Sequence, residues 1–109
     1  LDEAFAQDLN FNAIYVHSDQ MMAGIRFSLK KHEINPDTYL TIGFDYTPEA
    51  RQAIRSGEQT ASMTYPISVN EIVTTSMKIL HNQPFAREII VPSVLITKEN
   101  VDLIPSVFD

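Results

Sequence analysis

Three short clusters hold most of the residues able to do recognition chemistry: His17-Ser18-Asp19, Asp45-Tyr46 and Thr64-Tyr65. Each joins a carboxylate or hydroxyl to an aromatic ring or an imidazole. Carboxylates accept hydrogen bonds, hydroxyls accept and donate them, and ring faces cover C–H surface, so the set suits a polyhydroxylated ligand. A structural reading stands beside it. Ser18, Asp19 and Thr47 sit where helix N-caps are expected, and a lone His17 at a strand end more often makes a structural hydrogen bond than a catalytic one. His17, Asp19 and Asp45 form no spaced metal-binding motif, so no metal site is expected. The chain has no GxSxG elbow, phosphate-binding glycine loop, GxGxxG or cysteine nucleophile, and nothing pairs Asp19 with Asp45 as acid and base. The chemistry expected is binding without turnover, and no cofactor is called for.

The elements that position these clusters alternate. The apolar runs Ala13 to His17, Tyr39 to Phe44, Ala61 to Tyr65 and Ile89 to Thr97 read as strands, the first two buried on both faces as in a parallel sheet. Pro92 should break the last strand or confine it to an edge. A helix from about Asp19 to Glu33 is expected to turn Met21, Met22, Ile25 and Leu29 inward and to end before the turn Asn35-Pro36-Asp37. Thr47 as N-cap, Pro48 at the first position and Gly57 past the end frame a second helix that buries Ala50, Ala53 and Ile54. Ser68 and Glu71 form a capping-box pattern before Val69, Ile72, Val73, Met77 and Leu80, which recur at helical spacing. A short helix is expected around Glu3 to Leu9. The alternation predicts an α/β fold with a parallel sheet flanked by helices. In such sheets ligands bind beyond the carboxyl ends of the strands, where the three clusters fall.

With 109 residues, 44% of them hydrophobic, the chain can bury one modest core. Its net charge of -6, with Arg26, Lys30, Lys31, Arg51 and Arg55 mixed among acids, argues against direct nucleic-acid binding. Cysteine is absent, which removes disulfides and thiolate chemistry. No run reaches the ~18 apolar residues of a membrane span.

Four segments, taken in order, carry a resemblance: AIYVHSDQMMAG from Ala13, TIGFDYTPEARQAIRSG from Thr41, ASMTYP from Ala61 and IVPSVLITKENV from Ile90. They resemble the periplasmic sugar-binding proteins of the ribose-binding type, a superfamily shared with the lactose-repressor effector domains, over nearly all of the chain after residue 12. The resemblance implies two α/β lobes joined by a hinge and closing on a sugar. Residues 1–109 would be the C-terminal part of such a protein, its N-terminal lobe lying outside them. Asp45 matches the aspartate of the family's GFD segment, which accepts hydrogen bonds from sugar hydroxyls. Asp19 matches the second acid of an Asn-Asp pair that organises the loop and helix start. Ser18 stands where the family usually has a sugar-contacting Asn, and Thr64 where it often has Gln, so single hydroxyls replace two amides. Tyr46 and Tyr65 are the candidates for stacking on the ligand, or equally for packing on the hinge.

The function implied by the resemblance is that of a periplasmic solute-binding component of an ABC-type sugar transport system or a sensor, taking a sugar or polyol and partnering a membrane permease or sensor protein. The alternative is the effector-binding domain of a lactose-repressor-type regulator. The closing segment and the single acid after Gly43-Phe44 favour the first. A histidine-kinase sensor would need a membrane span, which the closing Ser106-Val107-Phe108-Asp109 does not resemble. Uncovered apolar surface at the hinge edge predicts self-association into a homo-oligomer.

Overall fold

The computed structural model describes residues 1–107; Phe108 and Asp109, the end of the closing segment, lie outside the described residues. Four strands form one sheet in the order β1-β2-β3-β4, with β1 at Ala13–Tyr15, β2 at Leu40–Asp45, β3 at Ala61–Thr64 and β4 at Leu95–Thr97. The first three are parallel and β4 runs antiparallel to β3. The expected α/β fold with a sheet flanked by helices is present, and the sheet is parallel except for β4. β4 begins three residues after Pro92 and lies at the sheet edge, where a residue without an N–H does no harm.

Helices α1 (Asp2–Ala6), α2 (Asp19–Lys31), α3 (Pro48–Ser56) and α4 (Val69–Leu80) separate the strands, with a 3-10 turn at Pro36–Thr38. The ends of α3 are as the sequence reads. The Thr47 hydroxyl accepts from the Ala50 amide at 3.2 Å, Pro48 opens the helix, and Gly57 closes it at φ +84°, a left-handed conformation that a glycine adopts without strain. The start of α1 is docked on α2 by Asp2, whose carboxylate meets Ser28, Lys31 and His32. Those three partners hold its pKa well below the ordinary carboxylate range.

One face of the sheet is closed by α2 and α3. Thr41, Gly43, Ser62 and Ile96 are buried there, while Ile42, Phe44 and Met63 at alternate positions are only half-covered. The core proper is Tyr46, Ile54, Ile96 and Val101, with Ile104 packed against it. Two expectations about burial are corrected. β1 is an edge strand with Ala13 and Tyr15 exposed, so it is not buried on both faces, and β2 is buried on one. In α2 the inward residues are Asp19, Met22, Arg26 and Leu29, whereas Met21 points to solvent and Ile25 is half-buried. An arginine and an aspartate thus occupy positions on the helix face that the apolar pattern assigned to Met21 and Ile25.

The capping box before α4 does not form. Ser68 itself is left-handed, at φ +56°, and its hydroxyl turns back to the Pro66 carbonyl instead of capping the helix. The apolar residues of α4 find no core either, since Val69, Ile72, Val73, Met77, Ile79 and Leu80 are all about half exposed or more. Residues 85–91 fold back along α4 and form with it an open groove that includes Ile72, Phe85 and Ile89. This arm makes the molecule elongated, 59 × 30 × 17 Å with a radius of gyration of 18.1 Å. About 13 Å would be expected for a compact domain of this size.

Candidate ligand-binding site

The site begins where β2 ends. The register sets Asp45 beside Thr64, so the second and third sequence clusters meet at adjacent strand ends. Asp45 has φ +97° and Tyr46 φ +58°, two consecutive residues with side chains in a backbone region that favours glycine. Such conformations cost of order 1–3 kcal/mol each and persist only where surrounding structure over-determines them.

Two anchors hold this turn. The first is Tyr46, which is fully buried in the core. Its hydroxyl donates to the carbonyls of Val101 and Ile104, sharing one proton between oxygens 2.9 and 3.0 Å away. The ring of Tyr46, a candidate for stacking on a ligand, is thus spent on packing, and the ligand role is withdrawn. Tyr46→Phe is expected to cost about 1–2 kcal/mol, by loss of that buried hydrogen bond, while leaving ligand affinity unchanged. Chemical denaturation followed by circular dichroism would measure the first and a titration the second.

The second anchor lies underneath. Asp19, 2% exposed, takes the Ser62 hydroxyl at 2.7 Å and the Thr47 amide at 3.2 Å on Oδ2, and the Gln59 side-chain amide at 2.9 Å on Oδ1. The Ser62 oxygen in turn accepts from the Tyr46 amide at 3.2 Å. Backbone donors of both residues that come after Asp45 are thereby fixed to side chains. Gly43 leaves the room for this: a Cβ there would run into the Asp19 carboxylate and touch the Gln59 amide.

Above the turn a concave pocket of about 330 Å³ is lined by Gln20, Asp45, Thr47, Tyr65, Ile67 and Val107. It falls in the size range of small-molecule sites. Tyr65 is exposed and leans on Phe44, with ring centroids 6.0 Å apart. Burial, and secondarily the charge of Asp19, raise the Asp45 carboxyl above the ordinary aspartate value. A carboxyl with a raised pKa in the folded state makes the fold more stable when protonated, and that advantage is lost as pH rises through the folded pKa. Asp45→Asn, which keeps the shape and tolerates a left-handed backbone, should therefore melt above the wild type at pH 7. The gap should close as acid protonates the wild-type carboxyl; a gap that persists at pH 3 would contradict this.

Of the six residues singled out by sequence, Asp45 and Tyr65 line the pocket. Ser18 and Thr64 do not line the pocket, and each makes a structural bond: the Ser18 oxygen caps α2 by accepting from the Met21 amide at 3.2 Å, and the Thr64 oxygen accepts from the Val94 amide at 2.8 Å. Asp19 lies beneath the turn, and Tyr46 in the core. His17 is exposed, its ring edge on Tyr15. Gln20, Ile67 and Val107 were not singled out, and Thr47 was read as a cap alone. Gln20 was legible as the neighbour of Asp19 at a strand-to-helix junction; Ile67 and Val107 come from segments distant in sequence and gave no signal. Among the described residues no three His, Cys, Asp or Glu side chains are placed to hold a metal ion, and no helix is long and apolar enough to cross a membrane.

No model of a known protein family and no curated protein matches the sequence. Solved structures do match the fold. The fructose-binding periplasmic domain of a hybrid two-component system superposes with a TM-score of 0.83 at 18% identity, over 94% of this chain and 35% of its own. A periplasmic solute-binding protein of an ABC transporter from Actinobacillus succinogenes, with bound D-allose, gives 0.83 at 19% over 94% and 37%. The myo-inositol binding protein of Caulobacter gives 0.80 at 20% over 92% and 35%. The fold is that of the periplasmic sugar-binding proteins of the ribose-binding type. At these identities the likeness is one of fold, as the four ordered segments of the sequence led us to expect. The chain spans about a third of the length of the binding proteins it matches.

Proposed function

We propose that this chain supplies the C-terminal wall of a periplasmic sugar-binding clamp, serving as the solute-binding component of an ABC-type transport system or of a sensor. Asp45 accepts hydrogen bonds from ligand hydroxyls, and Tyr65 offers an apolar ring to the sugar C–H face. The α4 arm carries the chain toward the second lobe, whose surface covers its apolar face. The observation that carries the reading is the Asp45 turn: a carboxylate at a strand end, held in a costly backbone conformation by a buried network, opening into a pocket beside an exposed tyrosine. Asp19, the nearest second acid, is bound by three donors, which supports binding over acid–base turnover.

Among the described residues the pocket lining includes one carboxylate and no cation. Neutral sugars and polyols fit that field, and anionic ones are repelled by it. A thermal-shift screen of the intact protein that carries this chain, against neutral pentoses, hexoses and polyols and their phosphates and acids, tests the reading. Ligands that bind the folded state raise the melting point in proportion to ln(1 + [L]/Kd). At least one neutral sugar or polyol should do so and the phosphates should not; no response to any neutral sugar would overturn the proposal.

A further inference from the structure

Asp19 is not the end of the network beneath Asp45. The Gln59 side chain, 2% exposed in the loop before β3, donates its amide to Asp19 and to the Ala61 carbonyl, and its oxygen accepts from the buried Arg26 guanidinium, two helical turns along α2. Cation, amide and carboxylate are bonded head to tail, and the amide can make both bonds in one orientation only. The far oxygen of Asp19 then takes the Ser62 hydroxyl and the Thr47 amide, and Ser62 takes the Tyr46 amide. Neither Arg26 nor Gln59 lines the pocket.

We propose that Arg26 and Gln59 are positioning residues that fix the Asp45 turn for ligand through Asp19, although neither touches the ligand. The proposal rests on the reading of Asp45 as a ligand contact. Arg26 balances Asp19, Glu58 and Glu49 around it, and burial lowers its pKa. Among the described residues, the ionisable groups around Asp45 are Asp19 at the start of α2 and Tyr65 after β3; Gln20 in α2 and Thr47 at the start of α3 are neutral.

Bond polarity provides the test. Gln59→Glu sets two carboxylates against each other where a donor met an acceptor. Adding Asp19→Asn restores the match: the amide so introduced donates to the carboxylate at position 59 and keeps its oxygen for Ser62 and Thr47, at the loss of the bond to the Ala61 carbonyl. The double variant also moves a negative charge from beside Asp45 to beside Arg26. In the intact protein carrying this chain, Gln59→Glu should weaken binding of a neutral sugar at least about tenfold, and the double variant should recover to within about threefold. The pH at which affinity is half lost should fall below that of the wild type in the double variant, because the Asp19 charge that helps raise the Asp45 carboxyl has been moved away; the recovery of affinity by the matched pair is the readout of positioning.

A folded Gln59→Glu variant with wild-type affinity would overturn the proposal. So would a double variant that fails to fold, or that folds with its pH midpoint unmoved. If Gln59→Glu alone does not fold, a folded double variant with a lowered midpoint supports the proposal. If the wild type binds no neutral sugar, the functional reading fails and the relay is judged separately, by carbon-13 titration of the Asp45 carboxyl: its midpoint should fall in the double variant, and an unmoved midpoint refutes the relay.

Discussion

Asp19→Ala should destabilise the fold by about 3 kcal/mol or more. Three donors, from Gln59, Thr47 and Ser62, lose their acceptor in a place water does not reach, and each unmade buried bond costs about 1–3 kcal/mol. The buried Arg26 also loses the nearby carboxylate that offsets its charge. Denaturant unfolding followed by circular dichroism would show the loss as a lowered midpoint. A midpoint equal to that of the wild type would mean that the carboxylate is not the keystone of the turn.

A second large effect concerns binding itself. Removing the Asp45 carboxylate should weaken sugar affinity by about a hundredfold or more, because hydrogen bonds from hydroxyls to a charged acceptor contribute about 1.5–3 kcal/mol each. Alanine would keep the Cβ that Asp45 already holds at φ +97° while giving up the side-chain polarity that helps an aspartate tolerate a left-handed backbone. Glycine takes that conformation freely, so Asp45→Gly removes the carboxylate without costing the fold. It should fold at least as well as the wild type, being free of both the strain and the carboxyl's burial.

How much of this could be read from the sequence depended on how local its causes are. The ends of α3 were legible because Thr47, Pro48 and Gly57 act within one turn of their own positions. The strands and the α/β class followed from alternating apolar runs, though neither the strand order nor the antiparallel sense of β4 did, and Asp45 from its place just past a strand. Tyr46 was not legible: its burial is decided by Val101 and Ile104, more than fifty residues on, whose carbonyls take its hydroxyl. Arg26 stood in the sequence only as one cation mixed among acids, and its burial depends on Gln59, 33 residues away, which supplies its acceptor. The exposed apolar residues of α4 show the converse, a helical pattern whose apolar face finds no cover among residues 1–107. Ser18 and Thr64 had both readings open, and the hydrogen bonds they make favour the structural one.

The central claim is that Asp45 is the sugar-binding carboxylate of this fold. Titration calorimetry of the intact protein that carries this chain, with the neutral sugar giving the largest thermal shift, compared between wild type and Asp45→Gly, tests it most directly. The account predicts saturable one-to-one binding in the wild type and a loss of about a hundredfold or more in a variant that melts no lower. Equal affinity in the two proteins would contradict it.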